Sequence, residues 1–148
     1  MGPRTWPIDA RLAIVSRPRQ REDVAEMGVR TLVCLLTREE REELGLLSER
    51  SWCESAGIGY LELPIADRGL PSRQALLELA GQILAREAPV GIHCRAGIGR
   101  SAVVAAAVLI LEGVAPRRAL ELIEQARGCS VPDTDEQRDL VLSLRPPG

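Results

Sequence analysis

Residues 90–101 read Val-Gly-Ile-His-Cys-Arg-Ala-Gly-Ile-Gly-Arg-Ser. The first three, residues 90–92, are a short apolar segment that predicts a buried strand. Residues 101–112 are apolar nearly all round, which predicts a helix in the centre of a domain. The residues from His93 to Ser101, here called the Cys94 loop, therefore join the end of a buried strand to the start of a buried helix.

Strands and helices alternate on both sides of the Cys94 loop. Strands are predicted at residues 11–16, 29–36, 58–63 and 90–92. Helices are predicted at 20–27, from Thr37 to near Gly45, at 48–57, from Ser72 to before Pro89, at 101–112 and from Pro116 to before Gly128. This alternation predicts an α/β fold with a largely parallel central sheet of about four or five strands between layers of helices. We expect one three-layer domain over residues 1–148.

The composition excludes several function classes. The chain has 45% hydrophobic and 27% charged residues, which is the balance of an ordinary globular protein. Its net charge of -2 gives no broad positive electrostatic field that would attract nucleic acid or anionic membranes. Its longest apolar run is too short to span a bilayer. Arginine supplies all 19 basic side chains, which is typical of a GC-rich, bacterial genome. We expect a monomer with no nucleic-acid or membrane partner.

Cysteine usage points to a reducing compartment. The four cysteines are widely spaced and contain no Cys-x-x-Cys pair of the metal-binding kind. The N-terminal residues have no apolar core of a secretory signal. We therefore expect a cytoplasmic protein with free thiols, and no metal or other cofactor.

The Cys94 loop has the composition of an anion site. Gly97 and Gly99 allow the backbone to curl so that successive N–H groups point at one anion, as do the first N–H groups of the following helix. Arg100, five residues beyond Cys94, can add a bidentate fork to two phosphate oxygens. The predicted substrate-binding residues are Arg95, Ala96, Gly97, Ile98, Gly99 and Arg100.

The same donors stabilise Cys94 as a thiolate, which is the nucleophilic form of cysteine. Ser101 can donate a hydrogen bond to the sulfur, especially when the sulfur is the leaving group. The single histidine, His93, directly precedes the nucleophile, and we expect it to bond to loop backbone and fix Cys94 in place.

Phosphoryl transfer to sulfur also needs a proton donor for the leaving oxygen. Asp67 is the best candidate, because it lies in the Gly/Pro-containing loop 64–71 at the end of a predicted strand. Asp9, Asp133 and Asp135 are less plausible alternatives. Gln137 is predicted to orient the water that later attacks the cysteinyl-phosphate.

These motifs resemble a known family. His93-Cys94-x5-Arg100-Ser101 is similar to the signature of protein tyrosine phosphatases, and Ala96-Gly97-x-Gly99 to that of small atypical dual-specificity phosphatases. Residues 64–67, Pro-Ile-Ala-Asp, resemble the general-acid loop of kinase-associated phosphatase. The resemblance covers about residues 7–144. It implies a phosphatase-like fold, nucleophile Cys94, phosphate-binding Arg100, general acid Asp67, assisting Ser101 and no metal.

Other interpretations stay open at this stage. Arg95 either faces the substrate or is a solvent-exposed charge or an ion-pair partner of Asp67 or Glu62. Ile98 either faces the substrate or packs within the loop. Cys34, in a strand beside the active one, is either a core thiol or a disulfide partner of oxidised Cys94.

The expected substrates are phosphotyrosine and phosphoserine or phosphothreonine of proteins. Alternatives are a phosphoinositide or another small phosphomonoester. A rhodanese-like sulfurtransferase is a more distant alternative.

Overall fold

A computed structural model describes residues 2–147 of the chain. Its strands are β1 (Thr5–Pro7), β2 (Leu12–Val15), β3 (Thr31–Cys34), β4 (Gly59–Glu62) and β5 (Val90–His93). Its helices are α1 (Arg21–Glu26), α2 (Arg38–Glu43), α3 (Glu49–Ser55), α4 (Arg73–Leu84), α5 (Arg100–Leu111), α6 (Pro116–Arg127) and α7 (Asp135–Ser143). The predicted α/β fold class is confirmed.

The strands form one sheet in the order β1-β2-β5-β3-β4. β1 pairs with β2 antiparallel, and all other neighbours are parallel. β5 is therefore the central strand, flanked by β2 and β3. Because the carboxyl ends of parallel strands share one edge of a sheet, the Cys94 loop emerges from the middle of that edge.

Helices cover both faces of the sheet. One face packs against α4, α5, α6 and α7 through a large apolar core, and the other packs against α1 and α3 through a smaller one. α5 is buried from Arg100 to Ile110, which explains why its sequence is apolar on every side. Enlarging one of its alanines would overpack this core, at a cost of about 1–3 kcal/mol.

Local signals place several helix ends where they were predicted. Thr37 and Glu40 form a capping box at the start of α2, and the Ser72 hydroxyl accepts a hydrogen bond from the Ala75 N–H at the start of α4. Pro116 stands in the first turn of α6, and Gly128 follows its end in the left-handed conformation, with φ +78°.

Two elements were not predicted. β1 is only three residues long and contains Pro7, and it is stabilised by pairing with β2 rather than by its own sequence. α7 begins with a second capping box, Thr134 to Gln137, although the sequence analysis considered Gln137 only as a residue that orients water. No helix within residues 2–147 has both the length and the apolar character needed to cross a membrane.

Candidate active site

The Cys94 loop connects β5 to α5 at the carboxyl edge of the sheet. Cys94 is buried directly after β5, and Gly99 is the N-cap of α5. The Gly97 N–H donates to the Cys94 Sγ at 3.3 Å, so at least one loop amide points inward at the sulfur. Gly97 has a φ of +73°, a left-handed conformation that disfavours residues with a side chain.

Gly99 is required for a different reason. A Cβ atom at this position would stand 2.9 Å from the Asp133 Cβ and 3.0 Å from the Gln137 Oε1. The segment that leads into α7 therefore packs directly against the loop backbone. A side chain at position 99 would therefore require Asp133 or Gln137 to move.

An arginine holds the outer side of the loop. Arg127, at the end of α6, donates to the carbonyl oxygens of Ala96 and Gly97 at 3.0 and 3.1 Å. Its guanidinium lies over the Trp6 ring of β1, 3.8 Å from the ring centroid. Arg127 thus supports the loop from the side opposite Cys94, a role that the sequence did not indicate.

Arg100 is buried, with 2% of its side chain exposed, and is held in place by several acceptors. The Glu40 carboxylate binds it bidentately, with Nη1–Oε1 at 2.6 Å and Nη2–Oε2 at 2.9 Å. Nη1 also donates to the Ile65 carbonyl oxygen at 2.8 Å. The guanidinium is therefore fixed in position without any substrate.

Glu40 is a site residue that the sequence analysis missed as such, although it recognised the capping box to which Glu40 belongs. The same carboxylate accepts from the Thr37 N–H and binds Arg100 and Arg95. Burial alone would raise the pKa of Glu40, but the hydrogen bonds from Arg100 and Thr37, the charge of Arg100 and the bond from Arg95 lower it to about 2. Glu40 is thus a permanent carboxylate between the two loop arginines.

Asp67 lies at the rim, with 59% of its side chain exposed, and its Oδ1 accepts from Arg100 Nη2 at 3.2 Å. Its loop is held by neighbouring residues. Arg68 forms an ion pair with Asp133 at 3.1 Å, and Gln137 Nε2 donates to the Gly69 carbonyl at 3.2 Å. Asp67 is thereby directed towards the same space as Arg100.

Gln137 is buried, and both ends of its amide are occupied. Its Oε1 accepts from the N–H groups of Asp133 and Thr134 at 3.0 and 3.1 Å. The structure thus places Gln137 in the α7 capping box and in contact with the Asp67 loop. Its predicted contact with a catalytic water stays a prediction.

Most of the predicted residues meet at one cavity. The cavity has a volume of about 210 Å³. Its lining residues are Asp67, Arg68, Cys94, Arg95, Ala96, Ile98, Gly99, Arg100 and Asp133. A thiol, a fixed cation and a carboxyl group therefore face one small space, an arrangement that could bind and react with a phosphate ester.

Ser101 and His93 lie outside the lining of the cavity. The Ser101 hydroxyl is buried at the start of α5 and has no hydrogen-bond partner within residues 2–147. His93 points to the other face of the sheet, and its Nδ1 lies 3.3 Å from the Cys94 carbonyl oxygen. The predicted contact of His93 with loop backbone thus has a specific geometry. On this opposite face of the sheet, the His93 ring forms a hydrogen bond with Glu49, another residue that the sequence analysis missed.

The interpretation of Arg95 needs correction. Arg95 does form ion pairs, but with Glu40 at 3.3 Å and Glu43 at 2.9 Å, and not with Asp67 or Glu62. Its side chain lines the cavity while it is held by these α2 carboxylates.

For Cys34 the structure supports the core-thiol interpretation and not the disulfide alternative. Cys34 pairs in register with His93, and successive residues of a strand point to opposite faces. Cys34 therefore belongs to the core on one face of the sheet and Cys94 to the core on the other. Their side chains diverge, so a bond would require the strands to rearrange.

Comparison with protein families gives a match that spans almost the whole chain. Residues 4–145 match the family model "PTP-SAK: Swiss Army Knife protein, DSP-PTPase phosphatase domain". Among curated proteins, the chain is 32% identical over 83 residues to "Probable protein tyrosine phosphatase type IVA A" of Dictyostelium discoideum, which covers 53% of this chain and 50% of that protein.

The chain is also 26% identical over 129 residues to "Cyclin-dependent kinase inhibitor 3" of Homo sapiens, which covers 84% of this chain and 61% of that protein. It therefore spans about half to three-fifths of the length of these curated relatives.

Solved structures share the fold. The active form of Tk-PTP superimposes with a TM-score of 0.81 at 30% identity, covering 93% of this chain and 92% of that one. Kinase associated phosphatase gives a TM-score of 0.78 at 22% identity, covering 88% and 83%. PTPMT1 in complex with PI(5)P gives 0.75 at 24% identity, covering 93% and 92%. The last two likenesses concern the fold alone.

Proposed function

Because the chain belongs to the DSP-PTPase phosphatase domain family, we propose that it is a cysteine-dependent phosphatase that hydrolyses phosphomonoesters through a cysteinyl-phosphate on Cys94. The proposal takes residues 1–148 as one catalytic domain. Its reaction needs two displacements at phosphorus. The residues around the cavity supply the nucleophile for the first displacement and a proton acceptor for the second.

In the first displacement, the Cys94 thiolate attacks phosphorus and the bond from phosphorus to the ester oxygen breaks. Arg100 and the inward N–H groups of the loop bind the remaining phosphate oxygens and balance their charge. Protonated Asp67 donates its proton to the departing oxygen, which leaves as an alcohol or phenol. The products of this step are the free hydroxyl compound and phosphorylated Cys94.

In the second displacement, water attacks phosphorus and the sulfur–phosphorus bond breaks. The Asp67 carboxylate, ionised by the first step, accepts a proton from the water. The Ser101 hydroxyl stabilises the departing thiolate by donating to it, and inorganic phosphate is released. The buried Ser101 hydroxyl has no hydrogen-bond partner within residues 2–147, so its donor is available for this role.

The observation that carries the proposal is the convergence of three groups on one small cavity. Cys94, Arg100 and Asp67 come from β5, α5 and the loop after β4, yet all line the same space of about 210 Å³. The contact between Asp67 Oδ1 and Arg100 Nη2 at 3.2 Å brings the acid within reach of the phosphate position. A phosphate oxygen that binds to Nη2 would take the place of Asp67 and free it to face the leaving group.

The size of the cavity bears on the substrate. It is smaller than the roughly 300–1,000 Å³ typical of ligand pockets, so it accommodates a phosphate and only part of the group that carries it. We infer that the enzyme accepts phosphoserine and phosphothreonine of proteins as well as phosphotyrosine. Phosphoinositides and other small phosphomonoesters are the second candidate class, since PTPMT1, which shares the fold, has been crystallised with PI(5)P.

Cys94→Ser tests the proposal most directly. We expect wild-type protein to hydrolyse para-nitrophenyl phosphate in the presence of EDTA and Cys94→Ser to have no turnover, because a serine hydroxyl is not ionised at neutral pH. Vanadate should still bind to the variant, since the loop N–H groups and Arg100 hold the anion. Cys129→Ser, at a thiol outside the cavity, is the matched control and should remain active.

Full activity in Cys94→Ser would refute covalent catalysis at this residue. Sulfur transfer from thiosulfate to cyanide by the wild type, without phosphatase activity, would favour the sulfurtransferase alternative. If the wild-type protein is an active phosphatase, its kcat/KM values on a panel of phosphopeptides and short-chain phosphoinositides would rank the two substrate classes.

We also propose that the protein is a cytoplasmic monomer. Its four cysteines are free thiols, as expected in a reducing compartment. Size-exclusion chromatography with light scattering tests the monomer, and fractionation of the source cells tests the location.

A further inference from the structure

A cluster of titratable side chains lies beneath the Cys94 loop, on the face of the sheet opposite the cavity. We call His93, Glu49 and Cys34 the His93 cluster. All three side chains are buried, and one ligand-type atom from each lies within 4.8 Å of the others. His93 Nε2 lies 2.6 Å from Glu49 Oε2. The other carboxylate oxygen of Glu49, Oε1, has no hydrogen-bond partner within residues 2–147.

The hydrogen bonds of His93 indicate where its protons lie. The Cys94 carbonyl oxygen, 3.3 Å from His93 Nδ1, can only accept a hydrogen bond, so a hydrogen bond between them takes a proton on Nδ1. The 2.6 Å contact between Nε2 and Oε2 requires a second proton between these atoms. His93 and Glu49 therefore hold one proton on Nδ1 and one in their shared bond.

The charges decide which residue holds the shared proton. Burial alone would lower the pKa of His93, but the Glu49 carboxylate and the Cys34 thiol beside it raise this pKa well above 6.5. The other titratable groups facing the cluster, Cys53 and Tyr60, stay neutral at ordinary pH. Burial, with Glu49 next, raises the pKa of Cys53 to about 12, and burial also raises that of Tyr60. The raised pKa of His93 favours its imidazolium form, with the shared proton on Nε2.

Histidine, glutamate and cysteine also ligate metal ions, but the distance between His93 Nε2 and Glu49 Oε2 is that of a hydrogen bond and not of two ligands of one metal ion. Two ligands at roughly 2.0–2.2 Å from one tetrahedral Zn²⁺ are more than 3 Å apart. The 2.6 Å separation of Nε2 and Oε2 is too short for that arrangement and suits a strong hydrogen bond.

We propose that Glu49 is a positioning residue for the nucleophile: it keeps His93 doubly protonated beneath Cys94, so that the ring donates to the Cys94 carbonyl and its charge stabilises the thiolate. The inference rests on the proposed function in assigning Cys94 as the nucleophile. Without the carboxylate, a neutral ring with its proton on Nε2 would turn a lone pair of Nδ1 towards the Cys94 carbonyl. Glu49 thus fixes both the charge of His93 and the start of the Cys94 loop.

Glu49→Gln separates charge from shape. The amide keeps the size of the side chain and can donate to His93 Nε2, which leaves a neutral ring with its proton still on Nδ1. The matched control is Glu54→Gln, an exposed glutamate of the same helix. We expect the pH midpoint for alkylation of Cys94 by iodoacetamide to rise by about one pH unit in Glu49→Gln only. At a pH below the midpoints of both proteins, Glu49→Gln should be alkylated roughly tenfold more slowly than wild type, because tenfold less of its Cys94 is thiolate.

The histidine itself provides the second readout. The chain has one histidine, so untagged protein labelled with ¹⁵N gives a single pair of ring-nitrogen signals. We expect both nitrogens of wild-type His93 to be protonated up to pH 8, and Nε2 to lose its proton in Glu49→Gln. The wild-type spectrum decides this point even if the variant fails to fold.

A neutral His93 in the wild type at pH 7 would overturn the inference, and so would an unchanged alkylation midpoint in folded Glu49→Gln. Neither readout requires turnover. Absence of phosphatase activity in the wild type would therefore contradict the proposed function and leave the role of Glu49 to be decided separately.

Discussion

Glu40 and Glu49 are two buried carboxylates from neighbouring helices, and each binds a cationic side chain of the Cys94 loop. Glu40 binds Arg95 and Arg100, which both line the cavity, and also accepts from the Thr37 N–H. Glu49 lies in the core on the opposite face, bonds to His93 and leaves one oxygen unpartnered within residues 2–147. The Cys94 loop is therefore stabilised by several bonds to Glu40 on the cavity side and by one bond to Glu49 on the core side. We therefore expect changes on the two sides to act differently.

The largest effect in this comparison is expected on the cavity side, at Asp67. Asp67→Asn should lower kcat/KM by roughly 10²–10⁴-fold, because the leaving oxygen loses its proton donor. The loss should be greater for an alkyl phosphate than for para-nitrophenyl phosphate, whose leaving group needs a proton less. The basic limb of the rate–pH profile should flatten, while the acidic limb that reports the thiolate should persist. Rate–pH profiles on both substrates measure these effects.

Asp139→Asn, an exposed change on α7, is the control for Asp67→Asn and should behave as wild type. Asp133→Asn tests the other cavity carboxylate. If Asp67→Asn keeps the basic limb and Asp133→Asn removes it, the acid is Asp133 and the assignment of Asp67 is wrong.

An intermediate effect is expected from Glu40→Gln. Loosening of Arg100 should lower kcat/KM by roughly up to 10²-fold. The pKa of Glu40 is lowered from 4.5 to about 2, so its ionisation stabilises the native state above pH 4.5, and this contribution is lost as the pH falls towards 2. The free energy of unfolding at pH 7 should fall by about 3 kcal/mol at most.

Urea unfolding at pH 7, 4 and 2 would measure this contribution, with Glu39→Gln, exposed on the same helix, as the control. The difference between wild type and Glu40→Gln should shrink as the pH falls. A difference that is constant over this range would show that Glu40 acts by packing and not by charge.

The smallest effect is expected from Cys34→Ala. Since Cys34 and Cys94 lie on opposite faces of the sheet, Cys34 should not protect oxidised Cys94. The rate of inactivation by peroxide and the recovery with dithiothreitol should match those of wild type within about twofold, as Cys94 is oxidised on its own. A Cys34–Cys94 disulfide in the mass spectrum of briefly oxidised wild-type protein would contradict the separation of the two faces.

The fold class followed from the sequence because its signals are local. Apolar segments, the Thr37 and Ser72 caps and the glycines of the Cys94 loop each depend on residues close in the chain. β1 lacks such a signal, since it depends on the pairing of its three residues with β2, a strand that follows it in the chain. The α7 capping box was visible in the sequence, and a search for caps at every Thr or Ser would have found it.

The site was predictable only in part, for a similar reason. Cys94 and Arg100 lie in one short motif, whereas Glu40 reaches Arg100 across 60 residues and Glu49 reaches His93 across 44. Such partners depend on which helix packs beside which strand, and a solvated glutamate on a helix has the same sequence signature. The order of the strands, with β5 between β2 and β3, brings these distant residues together.

Arg127 has a consequence for the timing of substrate binding. Each peptide plane carries a carbonyl at one end and an N–H at the other, pointing in opposite directions. By drawing the carbonyls of Ala96 and Gly97 outwards, Arg127 turns the next two N–H groups inwards, and the one on Gly97 does point at the sulfur. The orientation of these peptides is thus set by a contact within the protein. Under the proposed function, a phosphate ester would meet N–H groups that are already aligned, which lowers the cost of ordering the loop on binding.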